Sequence, residues 1–574
     1  MDKTRIGNTL SETAGLRPRS QGGLRRTLCQ PEMAAALLLS LVALGLHLVF
    51  LNHPGGLWRD EVNTVNLAGH SSLGNMAKDS FPVLMPLLVR GWTAIGLGEG
   101  DFGLRALGVL IGLGLLAALW ISALVTSGLP PRLSLALFGL NSAIIIYGDS
   151  LRAYGVGSLL IVLAVATMWS FLRQPSIWRA LLAAAMAVLS VQALYQNSVL
   201  VAAICFGAWA VAWRHRAWRT AGQVAFLATM AAASLVPYVP VLTAGQQGAA
   251  VLQVGFQWPR AFANTYQMIG FPLGIYSCLW AVAACAVVIG GFAALWRKAG
   301  TSSAVSSGVG AEDLRLYAAT TLLTGLLGFA VFHWFVALPI KPWYLLPLLA
   351  LTVACFDAGL PPLSRPLRVA LCGVLLATAC ITIPCAYGPL SSRLTNVDLL
   401  ARRLAAEAAP GDFILVAPWY CGITFDRYYK GSAAWSTLPP LTDHSLHRYD
   451  LLLAQLQNRD AIQPVLRQIA ATLQAGNKVW VAGHMHIFRA GTPPPDDLPP
   501  PPLPGSGWSD APYHRTWLAQ VACFLAEHSR QLDRVYSSAA GGVNPNEDLD
   551  LVQASGWQRA ISVPAISDST GKHD

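Results

Sequence analysis

Long apolar segments recur along this chain and constrain its fold more than any other feature. Each is near the length that a helix needs to cross a bilayer, about 20 residues. Hydrophobic residues make up 54% of the chain and charged residues only 12%. A chain of this composition is too apolar for a soluble enzyme, so the sequence predicts an α-helical polytopic membrane protein with about eleven transmembrane helices. The predicted spans are 33–52, 104–127, 133–149, 153–172, 180–196, 198–213, 222–243, 271–296, 315–338, 342–357 and 367–387.

The distribution of Lys and Arg predicts the orientation, because these residues accumulate in cytoplasmic loops. The amino-terminal tail is rich in Arg, and every second loop after it is basic. The amino terminus is therefore predicted to be cytoplasmic, with loop 53–103 and the carboxy-terminal region outside. The same bias accounts for the net charge of +10 without nucleic acid. The predicted location is the inner (plasma) membrane.

The chain divides into three predicted regions. Residues 1–32 form a cytoplasmic disordered tail, and residues 33–390 form the transmembrane domain with its first outer loop at 53–103. After about 388 the apolar runs stop, and short strand patterns appear at 412–417 and 478–482. Residues 391–574 are therefore predicted to be a small extracytoplasmic α/β domain with a Pro-rich insert at 493–504.

Cysteine and histidine carry little of the predicted chemistry. No Cys-x-x-Cys pair occurs, and most cysteines lie in predicted spans, where they act as small apolar residues. Cys421 and Cys523 both fall in the outer domain, which leaves a disulfide open. The four histidines His444, His447, His484 and His486 are interpreted as solvated loop residues. No cofactor is predicted with certainty, and a divalent metal stays open.

The outward loops concentrate charged residues at the membrane edge. The first loop carries Asp60 and Glu61 just past the first span, and carboxylates beside a bilayer are costly to desolvate. Carboxylates can take a proton from a hydroxyl, and cations can hold a phosphate leaving group. This combination predicts transfer of a sugar from a lipid-linked phosphate. Asp60 and Glu61 are the predicted catalytic residues, and Arg59, Lys78, Arg152 and Lys341 are the cations predicted to bind the donor phosphate. Asp149 and Tyr344 stand in the same outward loops.

Four short motifs in these loops resemble those of the polytopic GT-C glycosyltransferases. They are the acidic pair in the first outer loop, a Pro-containing helix start after it, an acid-x-x-Arg-x-Tyr loop, and a late Tyr-Leu-Leu-Pro. The most similar groups are protein O-mannosyltransferases, aminoarabinose transferases of lipid A, and bacterial Rgt-type enzymes. The resemblance covers roughly residues 33–390. Many relatives have His-Pro-Pro-Leu where this chain has Ser-Phe-Pro-Val-Leu at 80–84, without the His.

The resemblance implies an inverting transfer from a polyprenyl-phosphate sugar on the outer face. Asp60 would match the acid that activates the acceptor, and Glu61 would be its paired acid. Asp149 and Arg152 would match a second-loop acid and a cation on the phosphate side. The family resemblance places Asp149 and Tyr344 on the donor side as well. The acceptor would be an envelope lipid, glycan or protein.

Two other functions remain open from the sequence. The charged loops suit the substrate gate of a transporter or flippase of lipid-linked sugars, which would also need charges within spans or helices broken in two related halves. A membrane-anchored assembly or binding protein would instead use the outer domain to hold a partner.

Overall fold

The computed structural model of the chain describes residues 31–53, 55–70, 72–76, 81–243, 257–296, 309–337, 340–361, 363–495, 498, 511–538 and 542–559. Its α-helices are α1 (Pro31–Asn52), α2 (Arg59–Gly69), α3 (Leu73–Met76), α4 (Leu84–Ala94), α5 (Gly100–Thr126), α6 (Ser142–Gly148), α7 (Ala153–Arg173), α8 (Ile177–Ala193), α9 (Asn197–Arg214), α10 (Trp218–Ala233), α11 (Trp258–Ile269), α12 (Tyr276–Trp296), α13 (Ala311–Val336), α14 (Leu346–Gly359), α15 (Arg365–Ser391), α16 (Val397–Glu407), α17 (Gly422–Tyr428), α18 (Tyr449–Leu456), α19 (Gln463–Gln474) and α20 (Ala511–His528).

Within these residues, nine helices are long and apolar enough to cross a membrane. They are α1, α5, α7, α9, α12, α13, α15, the stretch Trp218–Thr243 that begins with α10, and the stretch Pro342–Gly359 that ends with α14. Helix α8 is apolar but has only 17 residues. The predicted class, a polytopic helical membrane protein with a small C-terminal α/β domain, is confirmed. Residues 1–30 of the predicted tail and most of the Pro-rich insert lie outside the described residues, whereas Pro31 and Glu32 begin α1.

One predicted span, 133–149, is not a continuous helix. It consists of a π-helical turn at Ser134–Gly139 and the short helix α6, separated at Asn141. The Asn141 side chain accepts hydrogen bonds from the backbone N–H groups of Ala143 and Ile144, and it donates to the Met268 carbonyl at 2.7 Å. This amide caps a new helix inside the bundle and satisfies the backbone groups that the break releases. The periodicity of an apolar run does not reveal such a break.

Helix α14 forms the centre of the transmembrane bundle. All of its residues from Leu346 to Gly359 are buried, and it packs against α7 and α13. Helix α13 also packs against α9 and α12, and α15 packs against α1. The spans at the periphery of the bundle keep one face exposed, as bilayer-facing helices do. The short helix α2, which carries the acidic pair, packs against α4 at one end of this bundle.

The C-terminal domain, which we call the outer domain after its predicted location, is built on a five-stranded sheet. Its strands are β1 (Phe413–Val416), β2 (Ala434–Thr437), β3 (Val479–Ala482), β4 (Ser529–Tyr536) and β5 (Leu551–Trp557), in the order β2-β1-β3-β5-β4. Strands β2, β1 and β3 are parallel, β5 pairs antiparallel with β3, and β4 pairs antiparallel with β5. Because β1 and β3 are central and buried on both faces, their continuous apolar sequences identify them. Cys421 and Cys523 are both free thiols.

The outer domain contacts the first outer loop through polar groups. Asp101 at the start of α5 accepts hydrogen bonds from Arg427 at 2.9 Å and from the Tyr428 hydroxyl at 2.6 Å. The same hydroxyl accepts the Leu57 N–H at 2.6 Å. Gly55 has a φ of 72° and lies against Arg393, so a side chain there would meet both backbone strain and the guanidinium. These contacts fix the segment that leads into α2.

Glycines on α5 let the second outer loop approach the bundle closely. A Cβ at Gly108 would overlap the Asp149 carbonyl oxygen, and one at Gly112 would overlap the Asp149 carboxylate. Because the obstacle at Gly108 is backbone, it cannot be relieved by a change of rotamer. The loop that begins at Asp149 therefore depends on these glycines for its position.

We expect Gly108→Ala to lower the thermal unfolding temperature of the detergent-solubilised protein by several degrees, because it forces the second loop away from α5. Gly45→Ala on α1 is the matched control, since nothing lies within 4 Å of a Cβ at that position. Equal unfolding temperatures for the two variants would contradict the close approach.

Candidate active site

Helix α2 brings the acidic pair to the junction between the membrane domain and the outer domain. Asp60 and Glu61 occupy its first turn, where the helix dipole favours negative charge. The Glu61 carboxylate also accepts the Trp58 N–H at 3.4 Å, which closes the start of the helix. Adjacent helical residues point about 100° apart, so the two carboxylates face different surroundings.

Glu61 is fully buried beneath the site. Its carboxylate accepts hydrogen bonds from Arg105 of α5 at 3.2 Å and from the Leu151 N–H of the second loop at 3.1 Å. Arg105 also donates to the Gly56 carbonyl at 2.6 Å. Burial raises the pKa of Glu61, while Arg105 and the backbone donors oppose that shift. Through these contacts Glu61 holds the first loop, the second loop and α5 together.

Asp60 lies on the other side of α2, where its side chain keeps an exposed fraction of 15%. Its Oδ1 atom lies 3.2 Å from His447 Nε2 of the outer domain and 3.7 Å from Arg59 Nε. Arg152 of the second loop donates from Nη1 to the Asp60 backbone carbonyl at 3.2 Å. The carboxylate is therefore surrounded by two guanidinium groups and an imidazole.

These neighbours outweigh the cost of burying the Asp60 carboxylate. Burial alone raises its pKa, but the hydrogen bond with His447 and the charges of Arg152 and Arg59 bring the pKa well below its usual value. Asp60 is thus ionised across the physiological pH range. It is ready to accept a hydrogen bond or a proton from a ligand.

Arg59 connects α2 to the outer domain. Its backbone N–H donates to Glu547 Oε1 at 2.9 Å, and its guanidinium donates to the Asn546 carbonyl at 2.9 Å and lies 4.3 Å from the centre of the Tyr420 ring. Glu547 is fully buried and also accepts from Thr424 at 3.2 Å. Burial raises the pKa of Glu547 to about 7, against the opposing charge of Arg59.

Arg152 adjoins Asp60 from the second loop. Its Nη1 donates to Thr64 Oγ1 at 3.1 Å, and its guanidinium lies 4.5 Å from the centre of the Phe81 ring. Phe81 contacts Tyr154, which in turn contacts Tyr344 with ring centres 5.9 Å apart. A row of aromatic rings therefore leads from Arg152 to Tyr344, in the turn that precedes α14.

The second-loop acid Asp149 does not join Asp60. Its Oδ2 pairs with His47 Nδ1 of α1 at 2.6 Å, and the side chain is fully buried. A small cavity of about 20 Å³ adjoins the pair and is lined mainly by apolar residues of α5 and α6. Asp149 thus anchors the second loop to the first span.

The remaining predicted donor residues lie apart from this cluster. Lys341 is exposed, with Nζ 6.0 Å from the centre of the Trp343 ring, and the Tyr344 carbonyl accepts from Gln196 at 2.9 Å. Trp343 contacts Trp58 and Tyr147, and these two residues line a shallow surface depression beside the outer domain. Lys78 lies outside the described residues.

Two residues of the site were missed in the sequence, His447 and Glu547. The interpretation of His447 as a solvated loop residue is wrong, because its side chain has an exposed fraction of only 11% and contacts Asp60. His447 lies 387 positions along the chain from Asp60 and Glu547 lies 488 positions from Arg59, and neither stands in a motif. Only the docking of the two domains reveals them.

No cluster of three or more His, Cys, Asp or Glu side chains suited to a metal ion occurs in the described part of the chain. The acids of the site instead have Arg or His partners. Asp60 and Glu547 both contact Arg59, which already supplies positive charge between them.

Comparisons with known proteins give structural matches at low identity. No protein-family model and no curated protein matches the chain. ArnT from Cupriavidus metallidurans bound to undecaprenyl phosphate is 11% identical with a TM-score of 0.43, covering 78% of this chain and 92% of ArnT. The apo state of ArnT gives 12% identity and a TM-score of 0.36 over the same shares of the two chains.

The Archaeoglobus fulgidus oligosaccharyltransferase tethered with an acceptor peptide also matches. It is 11% identical with a TM-score of 0.44, covering 79% of this chain and 69% of the oligosaccharyltransferase. ArnT and this enzyme are GT-C glycosyltransferases, the class that the sequence motifs resemble. Because these three TM-scores are below 0.5, the matches assign no role to individual residues.

We expect Glu61→Gln to destabilise the protein, because it leaves the Arg105 guanidinium buried without a negative partner. Removing one member of a buried ion pair costs about 3 kcal/mol or more. The thermal unfolding temperature in detergent measures this loss. Glu407→Gln, which removes an exposed pair with Arg403, is the control. A Glu61→Gln protein as stable as the wild type would contradict the conclusion that Glu61 holds the two loops and α5 together.

Proposed function

We propose that the chain is a membrane glycosyltransferase that moves a sugar from a polyprenyl-phosphate donor to a hydroxyl or amine of an envelope lipid, glycan or protein. The observation that carries the proposal is the environment of Asp60. An ionised, partly exposed carboxylate lies between two guanidinium groups at the junction of the membrane and outer domains. Two of the motifs that resemble those of GT-C glycosyltransferases, the acidic pair and the loop that carries Arg152, meet at the same junction.

In the proposed reaction, the acceptor hydroxyl donates a hydrogen bond to Asp60. Its oxygen attacks the anomeric carbon as the carbon–oxygen bond to the phosphate breaks, and the electron pair leaves with the polyprenyl phosphate. The configuration at the anomeric carbon inverts. A carboxylate with a lowered pKa is a weak base, so the proton moves to Asp60 late, after bond formation has made the hydroxyl more acidic. The phosphate is a good leaving group and needs no strong general acid.

Positive charge near Asp60 supports the donor side of the reaction. Arg152 is held beside Asp60 by Thr64 and by the Phe81 ring, an arrangement that restricts its guanidinium before a ligand binds. A guanidinium can hold a phosphate with two parallel hydrogen bonds. Arg59, Lys78 and Lys341 are further candidates for donor binding, with Tyr344 at the end of the aromatic row.

A transporter of lipid-linked sugars is the second candidate function. The observation that favours it is the His47–Asp149 pair, in which His47 lies within the first span and a cavity of about 20 Å³ adjoins the two side chains. Ionisable groups within spans often mark transport pathways. A transporter would move the lipid-linked sugar without releasing free polyprenyl phosphate, so product analysis separates the two functions.

We expect Asp60→Asn to lower sugar transfer by about 10²- to 10⁴-fold while the protein still folds, because the amide keeps the size of the side chain but cannot accept the proton. The donor is first identified as the polyprenyl-phosphate sugar that accumulates in cells lacking the gene. Release of polyprenyl phosphate in proteoliposomes then measures transfer, with Glu407→Gln as the control. Near-wild-type transfer by Asp60→Asn would overturn the proposed centre.

The proposed reaction requires the outer domain to lie outside the cytoplasm. An alkaline phosphatase fused after residue 559 is therefore expected to be active, because that enzyme folds only in an oxidising compartment. A fluorescent protein that matures in the cytoplasm is the converse reporter at the same position. Fluorescence without phosphatase activity would reverse the orientation and remove the outer-face reaction.

A further inference from the structure

A short segment of the outer domain lies directly along the face of α2 that carries Asp60. We call residues 443–448 the covering segment; it connects β2 to α18. The Ser445 carbonyl accepts from Asn66 at 2.7 Å, and the His447 N–H donates to the Asn63 side chain at 3.1 Å. Asp60, Asn63 and Asn66 are three residues apart and share one face of the helix. The covering segment is thus aligned with this face.

The side chain of His447 is held in place by its neighbours. Its ring stacks on Tyr449, with centres 5.9 Å apart and planes at 19°, and it meets the edge of Trp419 at 6.4 Å. Arg448 pairs with Asp443 and, at 2.7 Å, with Asp450, which closes the covering segment on itself. The imidazole therefore reaches Asp60 from a fixed position.

The hydrogen-bond partners assign the tautomer of His447. Nε2 lies 3.2 Å from the ionised Asp60 Oδ1, whereas Nδ1 is buried and has no hydrogen-bond partner in the described part of the chain. The neutral ring with its hydrogen on Nε2 donates to Asp60 and leaves no unpaired N–H at Nδ1. His447 is thus a fixed donor to one carboxylate oxygen.

The two oxygens of Asp60 have different environments as a result. The contacts from His447 and Arg59 both fall on Oδ1. Among the described residues, none hydrogen-bonds to Oδ2. The oxygen left for an incoming hydroxyl is therefore Oδ2.

We propose that His447 is a positioning residue of the transfer reaction, supplied by the outer domain, which holds Asp60 by Oδ1 and presents Oδ2 to the acceptor. This inference rests on the proposed function. The acceptor proton passes to Oδ2 as its oxygen bonds to the anomeric carbon. The outer domain thereby completes the catalytic site.

The hydrogen bond from His447 also governs when Asp60 is ionised. It is the largest of the influences that lower the pKa of Asp60 against the effect of burial. Because Asp60 acts when ionised, transfer falls as pH drops through its pKa. Removal of the His447 N–H raises the pKa of Asp60, so the acidic limb of the pH profile of transfer moves to higher pH. The other charged or titratable groups around Asp60 are Arg59 on α2, Arg152 in the second loop, Tyr147 on α6 and Glu547 in the outer domain.

The test compares variants at residue 447 that differ in whether the side chain carries an N–H group and in how long the side chain is. His447→Leu removes the donor and is expected to lower kcat by about 10- to 100-fold, the kinetic equivalent of one charge-assisted hydrogen bond. It is also expected to move the acidic limb of kcat/KM upward in pH. His447→Gln keeps an N–H at similar reach and is expected to restore most of both properties. His486→Leu, at an exposed histidine of the same domain, is the control.

A second pair of variants keeps the test decisive if His447→Leu fails to fold. His447→Asn carries the same amide as His447→Gln but is one methylene shorter, so we expect only the Gln variant to transfer well. Equal kcat and equal acidic limbs for Gln and Asn would overturn the positioning role. So would a folded His447→Leu protein with wild-type kcat and an unchanged acidic limb.

The behaviour of Asp60→Asn separates this inference from the proposed function. If Asp60→Asn is inactive while every variant at residue 447 transfers like the wild type, only the role of His447 is wrong. If Asp60→Asn also transfers normally, the proposed function of the site is wrong.

Discussion

The buried pair of Glu61 and Arg105 is the interaction on which the rest of the site depends. Arg105 comes from a membrane span, Glu61 from the first outer loop, and the Leu151 N–H that also binds Glu61 from the second loop. A charge in this position is costly to bury unless its partner and its hydrogen bonds are all present. The pair therefore fixes three segments in one arrangement, and Arg152 follows Leu151 into the position where it meets the Asp60 backbone.

The outer domain also restricts the position of α2. Glu547 binds the backbone and the guanidinium of Arg59, and His447 binds the carboxylate of Asp60. Both contacts reach the first turn of α2, where the backbone N–H groups lack helical partners. The domain therefore does more than extend the chain beyond the membrane. It supplies hydrogen-bonding groups that the loop alone does not have.

The sequence predicts the local features of this protein and misses those that arise between distant segments. Hydropathy identifies nearly all of the spans, and continuous apolar runs identify the central strands β1 and β3, because those signals lie within one segment. The break at Asn141 and the strands β2 and β5 depend on tertiary partners. In the same way, Asp60 and Arg152 are visible as charged residues in outer loops, whereas His447 and Glu547 become recognisable only when the two domains meet. Asp149, predicted to bind the donor, contacts His47 because Gly108 and Gly112 admit it into the bundle.

Adjacent acids on one helical turn can take separate roles because of the geometry of the helix itself. A rotation of about 100° between neighbours sends Glu61 towards Arg105 and the bundle, while Asp60 faces the outer domain. Burial raises the pKa of Glu61 but is outweighed at Asp60, where His447, Arg152 and Arg59 lower the pKa. Because both carboxylates lie in the first turn of α2, the helix dipole acts on both of them. The difference between their pKa values therefore comes from their partners. A loop that must be held rigid and must also present a carboxylate to a ligand needs both acids, one facing the bundle and one facing the ligand.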